Sequence, residues 1–237
     1  MRRKFLSVVL CVCMMLTMAP FAFAAGETES ETPTPPSNSS GSGSGSVAST
    51  AGITTEDALN DAISAASDNA IIKLDSDITL TSTLNITKNI TLNGDGHTIS
   101  GSVSSGTSFI DVSIPNNGDF TLTNCKIVPT AQVTSNAAIS LSVAGKVTVT
   151  DCTFGASSDT AGHMYNGLEF SQTVPMGETT ITGNTFYGGA FRHNCISFYK
   201  MNDNATININ NNNFSNLNWD TTNAVRVSNY GSNTAII

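Results

Sequence analysis

The residues best placed to do chemistry share one strand position. Asp111, Ser140, Glu169, Ser197 and Arg226 are the middle residues of Ile110-Asp111-Val112, Ile139-Ser140-Leu141, Leu168-Glu169-Phe170, Ile196-Ser197-Phe198 and Val225-Arg226-Val227. If the triplets stack as strands, their middle residues form one outward row with about 4.8 Å between neighbours. Asp111 and Glu169 then stand about 10 Å apart, near the upper separation of the two carboxylates in an inverting glycosidase. Arg226, two coils further on, could orient an acidic sugar. Any half-exposed strand also carries polar residues at alternate positions, so the row alone does not declare catalysis.

A second group lies in the turns leading into these triplets: His163, Met164 and Tyr165; Tyr187, Phe191, Arg192 and His193; Trp219 and Asp220. Aromatic and arginine side chains on an exposed ridge stack on sugar rings or anchor a protein partner. Tyr165, Tyr187, Arg192, His193 and Trp219 are therefore the candidate binding residues. His163 precedes Leu168 by five residues and His193 precedes Ile196 by three, so the two histidines are not required to align.

Asp75 and Asp77 flank a turn and could hold calcium; no other cofactor is indicated. Gly94-Asp95-Gly96-His97 sets an acid beside a histidine, but a tight turn with glycine at positive φ accounts for that motif. Beyond the N-terminal segment, three cysteines remain: Cys125, Cys152 and Cys195. They form no CxxC pair, which argues against a zinc site or a disulfide framework. Cys125 and Cys152 fall at equivalent repeat positions, either as small buried residues or near disulfide distance.

These residues need a scaffold, and the chain supplies one in segments. Residues 1–24 combine Arg2, Arg3 and Lys4, an apolar run too short to span a bilayer, and Ala22-Phe23-Ala24. That pattern is a secretory signal peptide, which predicts a secreted or cell-surface protein. Its removal takes three of the ten Lys and Arg and none of the eighteen acids, moving the formal charge from −8 to −11 (7 against 18). Such a surface lacks the basic footprint that a nucleic-acid or acidic-membrane partner requires. No later apolar run is long enough for membrane insertion. Residues 25–52 are rich in Pro, Ser, Gly and Glu without apolar period and read as a disordered linker.

From residue 53 onward the chain should be one domain, 53–237. Thr54-Thr55-Glu56-Asp57 caps and charges the start of a helix in which Leu59, Ala62, Ile63 and Ala66 share a face. Short alternating strands follow, as in Ile71-Ile72-Lys73-Leu74, Ile78-Thr79-Leu80 and Ile90-Thr91-Leu92. The first residues of the five triplets are spaced 29, 29, 28 and 29 apart. A second series runs in phase: Phe120-Thr121-Leu122, Val147-Thr148-Val149, Thr179-Thr180-Ile181 and Ile207-Asn208-Ile209. Each member is followed by Cys125, Cys152, Asn184 or Asn212, and then by Ile127, Phe154, Phe186 or Phe214. Two phased series at this period signal a solenoid in which like stacks on like. The expected fold is all-β, a right-handed parallel β-helix of about 28–29 residues per coil, with the helix covering its N-terminal edge. An Asn ladder is expected at one turn.

Ile90-Thr91-Leu92-Asn93-Gly94-Asp95-Gly96-His97-Thr98-Ile99-Ser100-Gly101, after the Thr-Thr-Glu-Asp-Ala-Leu helix start, resembles the first coils of the pectate-lyase-like β-helix superfamily. It is most similar to bacterial surface and adhesin-like members. The resemblance covers about residues 53–237 and implies functions from polysaccharide cleavage to adhesion. The calcium and catalytic clusters of pectate lyases and polygalacturonases do not map onto this chain residue by residue. The expected function is accordingly a non-catalytic, adhesin-like module engaging a glycan or surface protein. Alternatives are a polysaccharide lyase or hydrolase and a structural spacer. Val225–Val227 opens a further coil that lacks a polar cap, which predicts downstream domains or a partner at that end.

Overall fold

The computed structural model describes residues 52–130, 136–160, 162–170, 177–199, 205–217 and 223–228. The expected leader and all of the linker but Gly52 lie outside them. Helix α1 spans Glu56–Ala65, with the Thr55 hydroxyl accepting from Ala58 N at 3.2 Å. Glu56 and Asp57 occupy its first turn, where acids favour the helix dipole. Its last turn has no basic residue; instead Lys88 Nζ donates to the carbonyls of Ser64 and Ala66.

Strands follow in threes. The first coil is β1 (Ala70–Lys73), β2 (Ile78–Leu80) and β3 (Leu84–Ile86); the second is β4 (Ile90–Asn93), β5 (Thr98–Gly101) and β6 (Ile110–Ile114). Next come β7 (Phe120–Thr123), β8 (Lys126–Pro129) and β9 (Ala137–Val143), then β10 (Val147–Thr150), β11 (Thr153–Phe154) and β12 (Met164–Phe170). The fifth coil is β13 (Thr179–Thr182), β14 (Thr185–Tyr187) and β15 (Phe191–Phe198), and the sixth is β16 (Ile207–Asn210), β17 (Asn213–Ser215) and β18 (Asn223–Val227). Every third strand pairs, giving three parallel six-stranded sheets: A from β1 to β16, B from β2 to β17 and C from β3 to β18. This is the expected parallel β-solenoid, with one helix preceding the strands.

The register follows the sequence repeat. Ile110, Ile139, Leu168, Ile196 and Val225 are consecutive partners in sheet C, and Phe120, Val147, Thr179 and Ile207 in sheet A. In sheet B, Phe154, Phe186 and Phe214 stack with centroids 4.7 and 5.2 Å apart and nearly parallel rings. Leu59, Ala62, Ile63 and Ala66 of the helical segment join this same core, so α1 covers the N-terminal end.

In the last four coils the corner between sheets A and B is a single left-handed residue followed by one that is buried or half-buried. Asn124, Asp151, Gly183 and Asn211 have φ of 49, 55, 71 and 55°. Gly, Asn and Asp are the residues that enter this region at least cost, which turns the chain sharply without an extra loop. Gly101 meets a different constraint: a Cβ there would lie 2.1 Å from the Leu80 carbonyl of the preceding coil.

Glu56 ties the cap to the first coil. Its carboxylate accepts from the backbone N–H and hydroxyl of both Thr81 and Ser82, at 2.7–3.1 Å. Burial alone would raise its pKa, but the hydrogen bonds from Ser82 and Thr81 outweigh that and hold it below the ordinary value. A depressed folded pKa gives stability that is present above the unfolded value, about 4.3, and lost as pH falls through the folded one. Glu56→Gln should cost on the order of 1 kcal/mol at neutral pH, after solvent screening. Urea melts of both proteins from pH 7 to 3 should converge at the acid end; a gap independent of pH would refute the clamp.

Candidate functional site

The outward row on sheet C is assembled as the spacing predicts. Asp111 pairs with Ser140, Ser140 with Glu169, Glu169 with Ser197, and Ser197 with Arg226. Burial raises the pKa of Asp111, only partly countered by a hydrogen bond from Ser140. Burial likewise raises that of Glu169, partly countered by Asn166. Both carboxyls therefore hold a proton more readily than exposed ones. Ser197 is fully buried, and its hydroxyl has no hydrogen-bond partner. The Arg226 guanidinium lies 5.8 Å from the centre of the Tyr199 ring, a cation–π contact.

A feature absent from the sequence reading connects to Glu169. Asn223 Nδ2 donates to Asn194 Oδ1 (3.0 Å), Asn194 Nδ2 to Asn166 Oδ1 (2.6 Å), and Asn166 Nδ2 to Glu169 Oε2 (2.5 Å). The amides point one way across three coils and end on the carboxylate. The signal that could have revealed them is an Asn two residues before Leu168, Ile196 and Val225.

Strands β9, β12 and β15 are seven, seven and eight residues long, extending sheet C at its N-terminal margin. Met164 and Phe191 pair there and point into the core, both with no exposed surface. Tyr165 and His193 meet on the outside, ring centroids 4.4 Å apart and nearly perpendicular. Arg192, next to His193 in sequence, is half-buried, its Nε donating to the Gly162 carbonyl at 3.0 Å. His163 folds away from this pair: its Nε2 lies 3.4 Å from Asp159 Oδ1, while Asp159 Oδ2 accepts from Ala156 N. Tyr187 closes β14 in sheet B and belongs to another face. Trp219 and Asp220 lie outside the described residues. Tyr165 and His193 are thus the two ridge candidates brought into contact.

Asp75 and Asp77 are occupied by backbone. Asp75 Oδ2 accepts from Gly52 N and Ile53 N, and Asp77 Oδ1 accepts from Thr98 N with His97 Nδ1 3.5 Å away. Asp95, at φ 50°, forms an ion pair with Lys73 at 2.9 Å. Among the described residues no group of three or more His, Cys, Asp and Glu converges as a metal site. Cys125, Cys152 and Cys195 are free and buried, and burial pushes the Cys152 and Cys195 thiols up to about 12. The expected Asn ladder continues the line of the first two, Asn184 Nδ2 donating to Asn212 Oδ1 at 2.9 Å. A separate cleft of about 590 Å³ opens near the end of α1, beside Lys88, Asn89 and Asn116, and shares no residue with sheet C's row.

Comparison with known protein families, curated proteins and solved structures finds no match to this chain. What the geometry defines is a class of architecture: a parallel β-solenoid with a helix before its first coil. No helix among the described residues is long and apolar enough to cross a membrane.

Proposed function

We propose that this solenoid is a non-catalytic, adhesin-like binding module of the extracytoplasmic surface, akin to the pectate-lyase-like helices, and that it engages a glycan along the margin of sheet C. The observation that carries the reading is the Tyr165–His193 pair, held at the rim by the core residues Met164 and Phe191 beneath it. A half-exposed ring fixed from below offers a flat face to a sugar at little entropic cost. The neighbouring Arg192 and the Glu169 row supply polar contacts. The leader and linker read from residues 1–52 support delivery outside the cell.

Glycan-array binding by the secreted chain tests this. Tyr165→Ala with His193→Ala should weaken retention about tenfold. Unchanged retention in the double variant would remove the ridge from the account. A second reading, polysaccharide hydrolysis by Asp111 and Glu169, is favoured by one observation: burial raises the pKa of both carboxyls. Release of reducing ends that Glu169→Gln abolishes would establish that reading and displace the first.

A further inference from the structure

The outer face of sheet A carries a pattern that the ridge does not use. In three consecutive coils both outward positions are threonine: Thr121 and Thr123 in β7, Thr148 and Thr150 in β10, Thr180 and Thr182 in β13. The pairing sets them in two straight rows, Thr121–Thr148–Thr180 and Thr123–Thr150–Thr182. Thr91 and Asn93 of β4 extend the rows at one end, where Ile71 and the ion-paired Lys73 of β1 close them, and Asn208 and Asn210 of β16 extend them at the other. All seven threonines are half-buried, and none of the ten threonine and asparagine positions carries a charge on a chain whose net charge is −8.

The rows repeat at about 4.8 Å along the axis and stand about 6.6 Å apart along the strands. β-Branching leaves each threonine few χ1 choices, and packing between identical neighbours favours one choice throughout. Hydroxyls and methyls then recur as a grid above the buried Leu122, Val149 and Ile181. One hydroxyl is engaged within the chain, Thr150 Oγ1 donating to Asp151 Oδ2 at 2.8 Å, and its lone pairs remain available to accept. A regular grid with two fixed spacings suits a periodic surface better than the irregular one of a flexible chain. A molecular crystal presents such a surface.

We propose that this face binds ice. The two spacings lie close to oxygen repeats of the ice lattice, and the threonine rows themselves carry no charge. Their hydroxyls can take lattice hydrogen-bonding positions while the methyls order the water between the rows. The side chains are already ordered, so adsorption immobilises little that was free.

The secreted chain should shape ice crystals, show thermal hysteresis and slow recrystallisation. Thr148→Tyr, at the centre of the first row and pointing away from the core, should lose most of this activity at unchanged melting temperature; Thr121→Tyr provides the same test if the first variant folds poorly. Tyr165→Ala with His193→Ala should keep it all, which separates this face from the ridge. Absence of ice shaping, or activity undiminished in a folded row variant, overturns the proposal. So does retention on crystalline β-glucan through the same threonines without any effect on ice.

Discussion

Phe186→Ala is expected to destabilise the solenoid by about 3–5 kcal/mol. Phe186 is fully buried and is the middle ring of the Phe154–Phe186–Phe214 stack, so its loss removes two aromatic contacts at once. Each contact contributes about 0.5–1.5 kcal/mol beyond area burial. The cavity has little means of collapse, because Phe186 is in register with Phe154 on one side and Phe214 on the other, inside a hydrogen-bonded ladder. Coils in a solenoid are stabilised mainly by their neighbours, so the coils C-terminal to the defect should open first. Urea denaturation followed by hydrogen exchange would show this as early loss of protection in β16 and β17. Phe214 is only partly buried, and Phe214→Ala should cost clearly less. Equal losses at the two positions would contradict the stacking account.

Asn184→Asp should be nearly as damaging at neutral pH, although the two side chains have the same shape. Asn184 is 1% exposed, and its amide is fully used. Oδ1 accepts from Cys152 N at 2.9 Å, while Nδ2 donates to Val149 O at 3.0 Å and Asn212 Oδ1 at 2.9 Å. An ionised aspartate keeps the first bond and turns the other two into contacts between acceptors, around a buried unpaired charge, at a cost of about 3–5 kcal/mol. The folded protein would favour the neutral acid and raise its pKa above the unfolded value of about 3.9. The folded state then binds more protons than the unfolded one, so the penalty grows as pH rises above about 4 and levels off beyond the folded pKa. Paired melts of the variant and parent at pH 3.5 and 7 should show the gap widening with pH. A constant gap would mean that the amide protons are not what the site needs.

Much of the architecture was legible because repetition turns weak local signals into a strong one. Ile110 and its four counterparts reveal little singly, but their recurrence fixed both the sheet C register and the outward row. The corner residues were harder to read. Asn124, Asp151, Gly183 and Asn211 share a tolerance for positive φ rather than an identity, so comparing residue names from coil to coil passes over them. The Asn166–Asn194–Asn223 chain was missed for another reason. Its link to Glu169 is a side-chain contact along one strand, which the alternation of inward and outward positions does not report. His163 pairs with Asp159 because of the path of a long loop, and alternation along a strand says nothing about loops.

The A-to-B corner has one further consequence. In four successive coils it is two residues long: Asn124-Cys125, Asp151-Cys152, Gly183-Asn184 and Asn211-Asn212. The other two corners vary in length, from the three residues 144–146 to the nine residues 155–163. In these four coils one corner therefore works as a reading frame, resetting the phase of the chain, since a slip of one residue would turn core side chains outward. Insertions and deletions are absorbed at the other two. A lineage carrying this fold can rewrite the loops around sheet C without disturbing the beat that holds the coils together.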